Sequence, residues 1–212
     1  MNWMLIGFCV LLVVFHGSEV WFVHSYNPEQ LSRGSLLVTP PYLAVLAMAV
    51  IEYQVELRYL PKLKQLDWLA IIGLAMAVLG DTVRKTAIIT AGRHFTHVIA
   101  EEKRDGHALV QTGIYRFLRH PGYAGWLLWA VGMHVLLLNP VSTLITVVAG
   151  WRFLRTRVRY EEAKLREFFP GLYDAYRERT PTFIPFIGDD HAGARAFGHP
   201  ERDRSKARTT RR

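Results

Sequence analysis

Residues 3–15, WMLIGFCVLLVVF, form a run without a charged side chain, and four more apolar blocks follow before residue 155. The first block continues through Trp21, Phe22 and Val23, interrupted by His16, Ser18 and Glu19. It has the length of a signal peptide, but Met1-Asn2-Trp3 carries no basic side chain and no clear cleavage site follows, so it reads as a retained helix. The second block is 36–57, with Pro40 and Pro41 near its start, where a helix tolerates proline best. The third begins at 67–80 and has a more polar continuation from Asp81 to Ala91. The fourth and fifth, 122–138 and 141–154, are separated by Asn139-Pro140 alone and read as an antiparallel helical hairpin.

Several blocks fall short of the roughly 20 residues of a full crossing. One short apolar helix fits the core of a soluble bundle. Five of them, with Trp3, Trp21, Trp68, Trp126 and Trp151 near their ends or faces, favour a bilayer. The fold class predicted is all-α and integral to the membrane, with about five transmembrane helices.

The 212 residues suit one domain. Average composition decides little, since half the residues are hydrophobic and the net charge is +8. What matters is that the charges lie between the blocks. Residues 92–121 are charged and turn-rich, and 155–180 read as a charged helix with an apolar stripe of Tyr160, Leu165, Phe168, Phe169, Leu172, Tyr173 and Tyr176. After Gly188 the chain turns basic, with Arg195, Arg202, Arg204, Lys206, Arg208, Arg211 and Arg212, and reads as disordered. This basicity points to a cytosolic side or to anionic membrane lipid rather than to nucleic acid. With five crossings, segment 92–121 and the C-terminus share a side, and their Lys and Arg content makes it cytosolic. Arg58, Lys62 and Lys64 in the 57–66 loop fall on the other side and run against that rule. The organisation expected is 1–91 for the N-terminal transmembrane helices, 92–188 for a region that carries the hairpin and the polar groups of a candidate site, and 189–212 for a basic tail. Cys9 is the single cysteine, so no intrachain disulfide and no cysteine-based metal site exists, and the nine histidines are scattered without HExxH; no metal is expected.

Two polar groups bracket the hairpin: residues 107–125 and residues 152–165. In the first, Gly113 offers a tight turn, His120 before Pro121 should be extended, and Pro121 is placed to open the fourth helix. The free N–H groups of that helix start suit a carboxylate or phosphate. The alternative is a capped helix start with an exposed histidine, and spacing alone does not separate the two. Gly122 and Gly125 allow close approach of a ligand or of another helix. In the second group Arg157 and Glu161 are four apart and share a helix face. Either they pair, in the less favourable order, or each faces its own ligand, Arg157 an anion and Glu161 a polar or cationic cofactor. No Walker loop, GxGxxG after a strand or GxSxG elbow is present.

From Arg84-Lys85 to Ile187 the chain resembles the isoprenylcysteine carboxyl methyltransferase family. The resemblance rests on Phe95-Thr96-His97, Lys103 with His107-Ala-Leu-Val110, Gly113-Ile-Tyr115, Arg119-His-Pro121 with Tyr123 and Gly125, Asn139-Pro140, Trp151, Arg157, Glu161-Glu162, Phe168-Phe169, Tyr173, Tyr176 and Ile184-Pro-Phe-Ile187. The RHPxYxG element is shared with lipid methyltransferases and sterol reductases; the other landmarks, in order, narrow the likeness to the prenylcysteine group.

The resemblance implies a multi-pass endoplasmic reticulum enzyme with its active site facing the cytosol. It would use S-adenosylmethionine, bound near the hairpin, to methylate the C-terminal carboxylate of prenylated cysteine on CaaX-processed proteins. Carried over by position, Ala100, His107, Ala108, Leu109, Val110, Tyr115, His120, Pro121, Gly122, Tyr123 and Glu161 would contact the cofactor, with Arg157 on the substrate carboxylate. Arg157 and Glu161 would be the catalytic pair. Arg119 has either a site-facing or a structural role. Three positions depart from the family pattern: Ala100 and His134 stand where Gln is usual and Gly122 where Ser is frequent, so at Ala100 only a backbone contact would survive. Rival readings are a membrane methyltransferase acting on a lipid amine or thiol, a sterol reductase, and a non-catalytic membrane scaffold.

Overall fold

The computed structural model of the chain describes residues 3–187, apart from 32–34, 36, 104–105, 183 and 186. The expected tail, 189–212, lies outside the described residues. Among the described residues the regular structure is helical: α1 (Trp3–Tyr26), α2 (Pro40–Tyr59), α3 (Asp67–Ala91), α4 (Pro121–Leu136), α5 (Pro140–Phe168) and α6 (Leu172–Arg179), with short 3₁₀ turns between them.

Local chemistry sets most helix ends. Thr39 caps α2, its hydroxyl accepting from the Tyr42 N–H, with proline in the first turn. Pro121 and Pro140 open α4 and α5 in the same way. Gly92, at φ +52°, ends α3.

The polar continuation 81–91 is the second half of α3, as the pattern expects. There Asp81 pairs with Lys85 one turn on, and Arg84 is buried against Glu19 of α1. One boundary differs: α5 does not stop where the apolar block ends. It runs 29 residues, roughly 44 Å at about 1.5 Å per residue. Pro170 and Gly171, at φ +75°, then break the charged segment, leaving α6 as a separate short helix. Of the expected stripe, Phe168, Phe169, Tyr173 and Tyr176 are buried, whereas Tyr160 and Leu172 are exposed.

The helices alternate in direction, so one end of the bundle holds the α2–α3 and α4–α5 turns and the other holds segment 92–120 and α6. The closest pair is α3 and α4. A Cβ on Gly80 would lie 2.3 Å from the Trp129 backbone nitrogen, and one on Gly125 would lie 2.6 Å from the Gly80 carbonyl. The two backbones therefore touch, which only glycine permits. Gly125 serves a neighbouring helix, not a ligand. Around this seam Met4, Phe8, Phe15, Tyr53, Trp129, Met133 and Leu136 form the main core, with Phe15 stacked on Trp129 at 3.9 Å.

The outer faces are apolar as well. Val10, Val13 and Val14 on α1, Ile51 and Val55 on α2, Ile71, Ile72, Val78 and Leu79 on α3, and Val141, Leu144, Val147 and Val148 on α5 are all exposed. Water-soluble monomers rarely show so extended an apolar surface. By length and hydropathy, one helix among the described residues, Trp3–Tyr26, meets the measure of a crossing by itself. The others miss it because α4 has 16 residues and because charges dilute the ends of α3 and α5.

At the end holding the two turns, Lys64 is buried. Its ammonium donates to Glu56 Oε2 (2.6 Å), to the carbonyls of Leu137 (2.7 Å) and Leu138 (3.1 Å), and to Asn139 Oδ1 (2.9 Å). One of the three cations that ran against the charge-sidedness rule is thus an internal cap on the carbonyls that follow the end of α4. Nearby, Glu52 of α2 accepts from the Val141 and Ser142 N–H groups, both 2.8 Å, and from the Ser142 hydroxyl. A carboxylate there neutralises the positive end of α5.

Candidate active site

At the opposite end an open cleft, about 930 Å³ including its mouth, lies between segment 91–123, the second half of α5 and α6. Its walls include Ala91, His94, Phe95, Thr96, Ile99, Ala100, His107, Ala108, Leu109, Val110, Tyr115, Arg119, His120, Pro121, Gly122 and Tyr123 from the first segment. Glu161, Lys164, Leu165, Phe168, Tyr173 and Tyr176 come from the second and third. The eleven residues assigned to a cofactor by resemblance, Ala100 to Glu161, therefore lie in one cleft although they are spread over some sixty positions of chain.

The floor is apolar and aromatic. Phe168, Phe169, Tyr173 and Tyr176 pack with Ala100, Leu109 and Leu165. The His107 ring lies 5.4 Å from that of Phe169 and 5.8 Å from that of Phe168. The Tyr176 hydroxyl donates to the Tyr115 carbonyl at 2.6 Å, which ties α6 to the 3₁₀ turn at 113–116. Burial pushes the Tyr176 phenol up to about 12 and raises that of Tyr115 further, so both stay protonated at neutral pH. Gly113, at φ +54°, makes the predicted turn.

Of the two alternatives left open by spacing at the start of α4, the exposed histidine does not hold, and residues 120–123 line the cleft. His120 leaves the helical region before Pro121, but at φ −126° and ψ 59° it is not the extended residue expected. It is buried rather than exposed, with Nε2 3.2 Å from Glu162 Oε1. Arg119 is buried too. Its Nε donates to Glu162 Oε1 at 3.0 Å and its Nη1 to the carbonyls of Arg177 and Thr180. Arg119 therefore anchors the end of α6 to α5, although part of it borders the cleft. Burial would raise the Glu162 carboxyl, but His120 and Arg119 outweigh it and hold it at about 2.

Arg157 and Glu161 do not pair with each other. The Tyr123 hydroxyl stands between them: it accepts from Arg157 Nε at 2.8 Å and donates to Glu161 Oε2. That bond is the one hydrogen bond of Glu161 among the described residues. Arg157 Nη2 donates to the His97 carbonyl at 2.6 Å. A guanidinium has five N–H donors, and two are used here. Arg157 thus sits beside the cleft wall, one hydroxyl away from the carboxylate that faces it. His94, Thr96, Lys164, Phe168, Tyr173 and Tyr176 were not among the predicted site residues. The aromatic ones look like a plain helix stripe, and nothing in their spacing distinguishes a cleft floor from a core.

Residues 72–167 match the model of the isoprenylcysteine carboxyl methyltransferase family. Across most of the chain, the probable protein-S-isoprenylcysteine O-methyltransferase of Oryza sativa subsp. japonica is 40% identical over 181 residues, covering 85% of this chain and 95% of the relative. The chain belongs to the isoprenylcysteine carboxyl methyltransferase family. The human protein-S-isoprenylcysteine O-methyltransferase is 40% identical over 178 residues, which are 83% of this chain and 63% of that one. The structure of the eukaryotic intramembrane Ras methyltransferase ICMT superposes with a TM-score of 0.84 at 36% identity, covering 87% of this chain and 67% of that chain. The all-helical architecture is therefore that of the methyltransferase family. The matched family region opens inside α3 and closes near the end of α5. It includes Arg157, Glu161 and nearly all of the upper cleft wall, but leaves α1, α2 and α6 outside.

Proposed function

We propose that this chain is a membrane-embedded enzyme that transfers a methyl group from S-adenosylmethionine to the C-terminal carboxylate of prenylated cysteine in CaaX-processed proteins. The observation that carries the reading is the Arg157–Tyr123–Glu161 bridge. It joins an anion-binding fork to a carboxylate facing a cleft whose walls are part aromatic and part polar. Such a cleft fits a ligand with a flat heterocycle at one end and charged groups at the other.

Bound there, S-adenosylmethionine supplies an electrophilic methyl on a sulfonium. The protein's own work is orientation and exclusion of water. A carboxylate acceptor is already ionised at neutral pH, so no side chain need remove a proton. The remaining donors of Arg157 hold that carboxylate in a fixed direction. Glu161 and the walls from His107 to Val110 and from His120 to Tyr123 hold the donor, and the aromatic floor keeps water out. No residue in the cleft needs a metal for this chemistry, and no cluster of potential metal ligands is found among the described residues.

The exposed apolar faces of α1, α2, α3 and α5 support five crossings, with the cleft end at the cytosolic surface of the endoplasmic reticulum. The capture of Lys64 inside the protein accounts for one of the three cations that ran against that orientation, while Arg58 and Lys62 stay exposed at the other end. On this reading residues 1–91 supply the membrane scaffold and 92–188 the catalytic region. A prenyl chain would enter from the bilayer between the helices.

The test is a membrane assay with a small farnesylated cysteine and labelled S-adenosylmethionine. Arg157→Ala should lower methyl ester formation by roughly 100-fold or more, with thermal stability retained. Wild-type rates in that variant would remove Arg157 from the site. Labelled lipid amine or thiol in place of labelled prenylcysteine would favour the lipid methyltransferase reading.

A further inference from the structure

Glu19 is the one carboxylate on the mostly apolar α1, and it is 1% exposed. Both its oxygens are committed. Oε1 accepts from Arg84 Nε at 2.5 Å, Oε2 accepts from Arg84 Nη2 at 2.8 Å, and His97 Nε2 lies 2.5 Å from Oε2. Burying a carboxylate is costly unless it is paired, and hydrophobic side chains in place of the whole buried pair would avoid that cost. The pairing therefore calls for a reason other than stability, and the reason lies in what the two partners touch.

Arg84 Nη1 donates to the Gly122 carbonyl at 3.1 Å, in the first turn of α4 and in the cleft wall. The backbone carbonyl of His97 is the group that accepts from Arg157 Nη2 at 2.6 Å. One carboxylate on α1 thus pins both sides of the Arg157–Tyr123 contact: the α4 turn that carries Tyr123, through Arg84, and the loop carbonyl that aims Arg157, through the His97 ring. A side chain outside the matched family region reaches the reacting groups through two intermediaries.

We propose that Glu19 is a positioning residue that fixes the direction in which Arg157 presents its free donors to the acceptor carboxylate. This rests on the proposed reaction. The His97 arm acts on acceptor binding, whereas the Arg84 arm acts mainly on the wall of the donor cleft.

The experiment compares wild type with Glu19→Gln, His97→Ala, His97→Gln and the Glu19→Gln/His97→Ala double variant. Each is purified in detergent or nanodiscs. KM for a farnesylated cysteine, kcat, and the Kd for S-adenosylmethionine by calorimetry are measured for each. His97→Ala leaves the Glu19–Arg84 pair intact, so it keeps the test alive if Glu19→Gln fails to fold. It should raise the acceptor KM about tenfold, as expected for misaligning one charge-assisted hydrogen bond, with the donor Kd within about twofold. His97→Gln, whose amide nitrogen can take the place of Nε2, should recover most of that loss. A folded double variant should be no worse in acceptor KM than the poorer single variant, because both act on one path.

Unchanged acceptor KM in His97→Ala, equal losses in donor and acceptor affinity, or additive losses in the double variant would each overturn the proposal and leave the methyltransferase reading intact. A wild-type protein that binds S-adenosylmethionine but never esterifies prenylcysteine would overturn both.

Discussion

The two ends of the helix bundle use the same materials to opposite effect. At the turn end, Lys64 is surrounded by a carboxylate, two carbonyls of the α4–α5 turn and an amide oxygen, with the Tyr53 ring 4.7 Å from its Nζ. At the cleft end, Arg119 likewise meets a carboxylate and the carbonyls of Arg177 and Thr180, yet Glu161, next to its partner Glu162 on α5, keeps a single side-chain hydrogen bond and faces open space. A buried polar cluster whose every group is satisfied fixes helix positions and can do little else. A polar cluster left partly unsatisfied beside a rigid one is free to take a ligand. The contrast teaches that the charges in the cleft are held in place by a fully bonded layer behind them: Arg119–Glu162–His120 on one side and Glu19–Arg84–His97 on the other.

The contrast is open to attack from both ends. The largest effect should come from Lys64→Ala. It leaves Glu56 buried without its cation and strips the cap from α4, so about 3–5 kcal/mol of stability should be lost. Thermal or denaturant unfolding in detergent would show it, and the protein that remains folded should still bind S-adenosylmethionine with wild-type affinity. Weaker donor binding in that folded fraction would mean that the two ends are coupled.

Next in size is the layer behind the cleft. Because Glu162 is held at about 2, its contribution is complete above the ordinary carboxylate range, near 4.5, and is lost as pH falls from there toward 2. Unfolding midpoints measured between pH 7 and pH 2 should decline through that window in the wild type. In Glu162→Gln the stability should be lower by about 1–3 kcal/mol at pH 7, and the midpoint profile flatter below pH 4.5. Parallel pH profiles would show that Glu162 is not the carboxylate being titrated.

The smallest effect on free energy should be the most informative. Glu161→Gln should weaken donor binding about tenfold, roughly 1.4 kcal/mol, and leave the unfolding midpoint unchanged. Calorimetry and a melting curve on the same sample separate the two. A loss of stability equal to the loss of binding would place Glu161 with the structural layer instead of the cleft.

Particular residues show how far the chain could be read without coordinates. Proline at 40, 121 and 140 and glycine at 113 marked helix starts and a turn, since their backbone limits act locally wherever they occur. The Asn139-Pro140 hairpin was legible for the same reason. By contrast, the length of α5 was not. Its second half is polar by composition and helical because Leu154, Val158 and Glu162 are buried against distant partners. Eleven of the cleft residues were named by motif order, but the role of Arg119 and the burial of His120 depended on Glu162, more than forty positions away.

The amino-acid sequence by itself determined an all-helical chain, most of its helix starts and the family to which it belongs. Those follow from apolar blocks, proline and glycine geometry, and an ordered set of motifs, all of which act over a few residues. Only the tertiary structure decided that Lys64 is an internal cap, that Tyr123 stands between Arg157 and Glu161, and that Glu19 on the first helix reaches the cleft. A buried charge is stable only where partners from other segments meet it, and spacing along one chain does not record which segments those are.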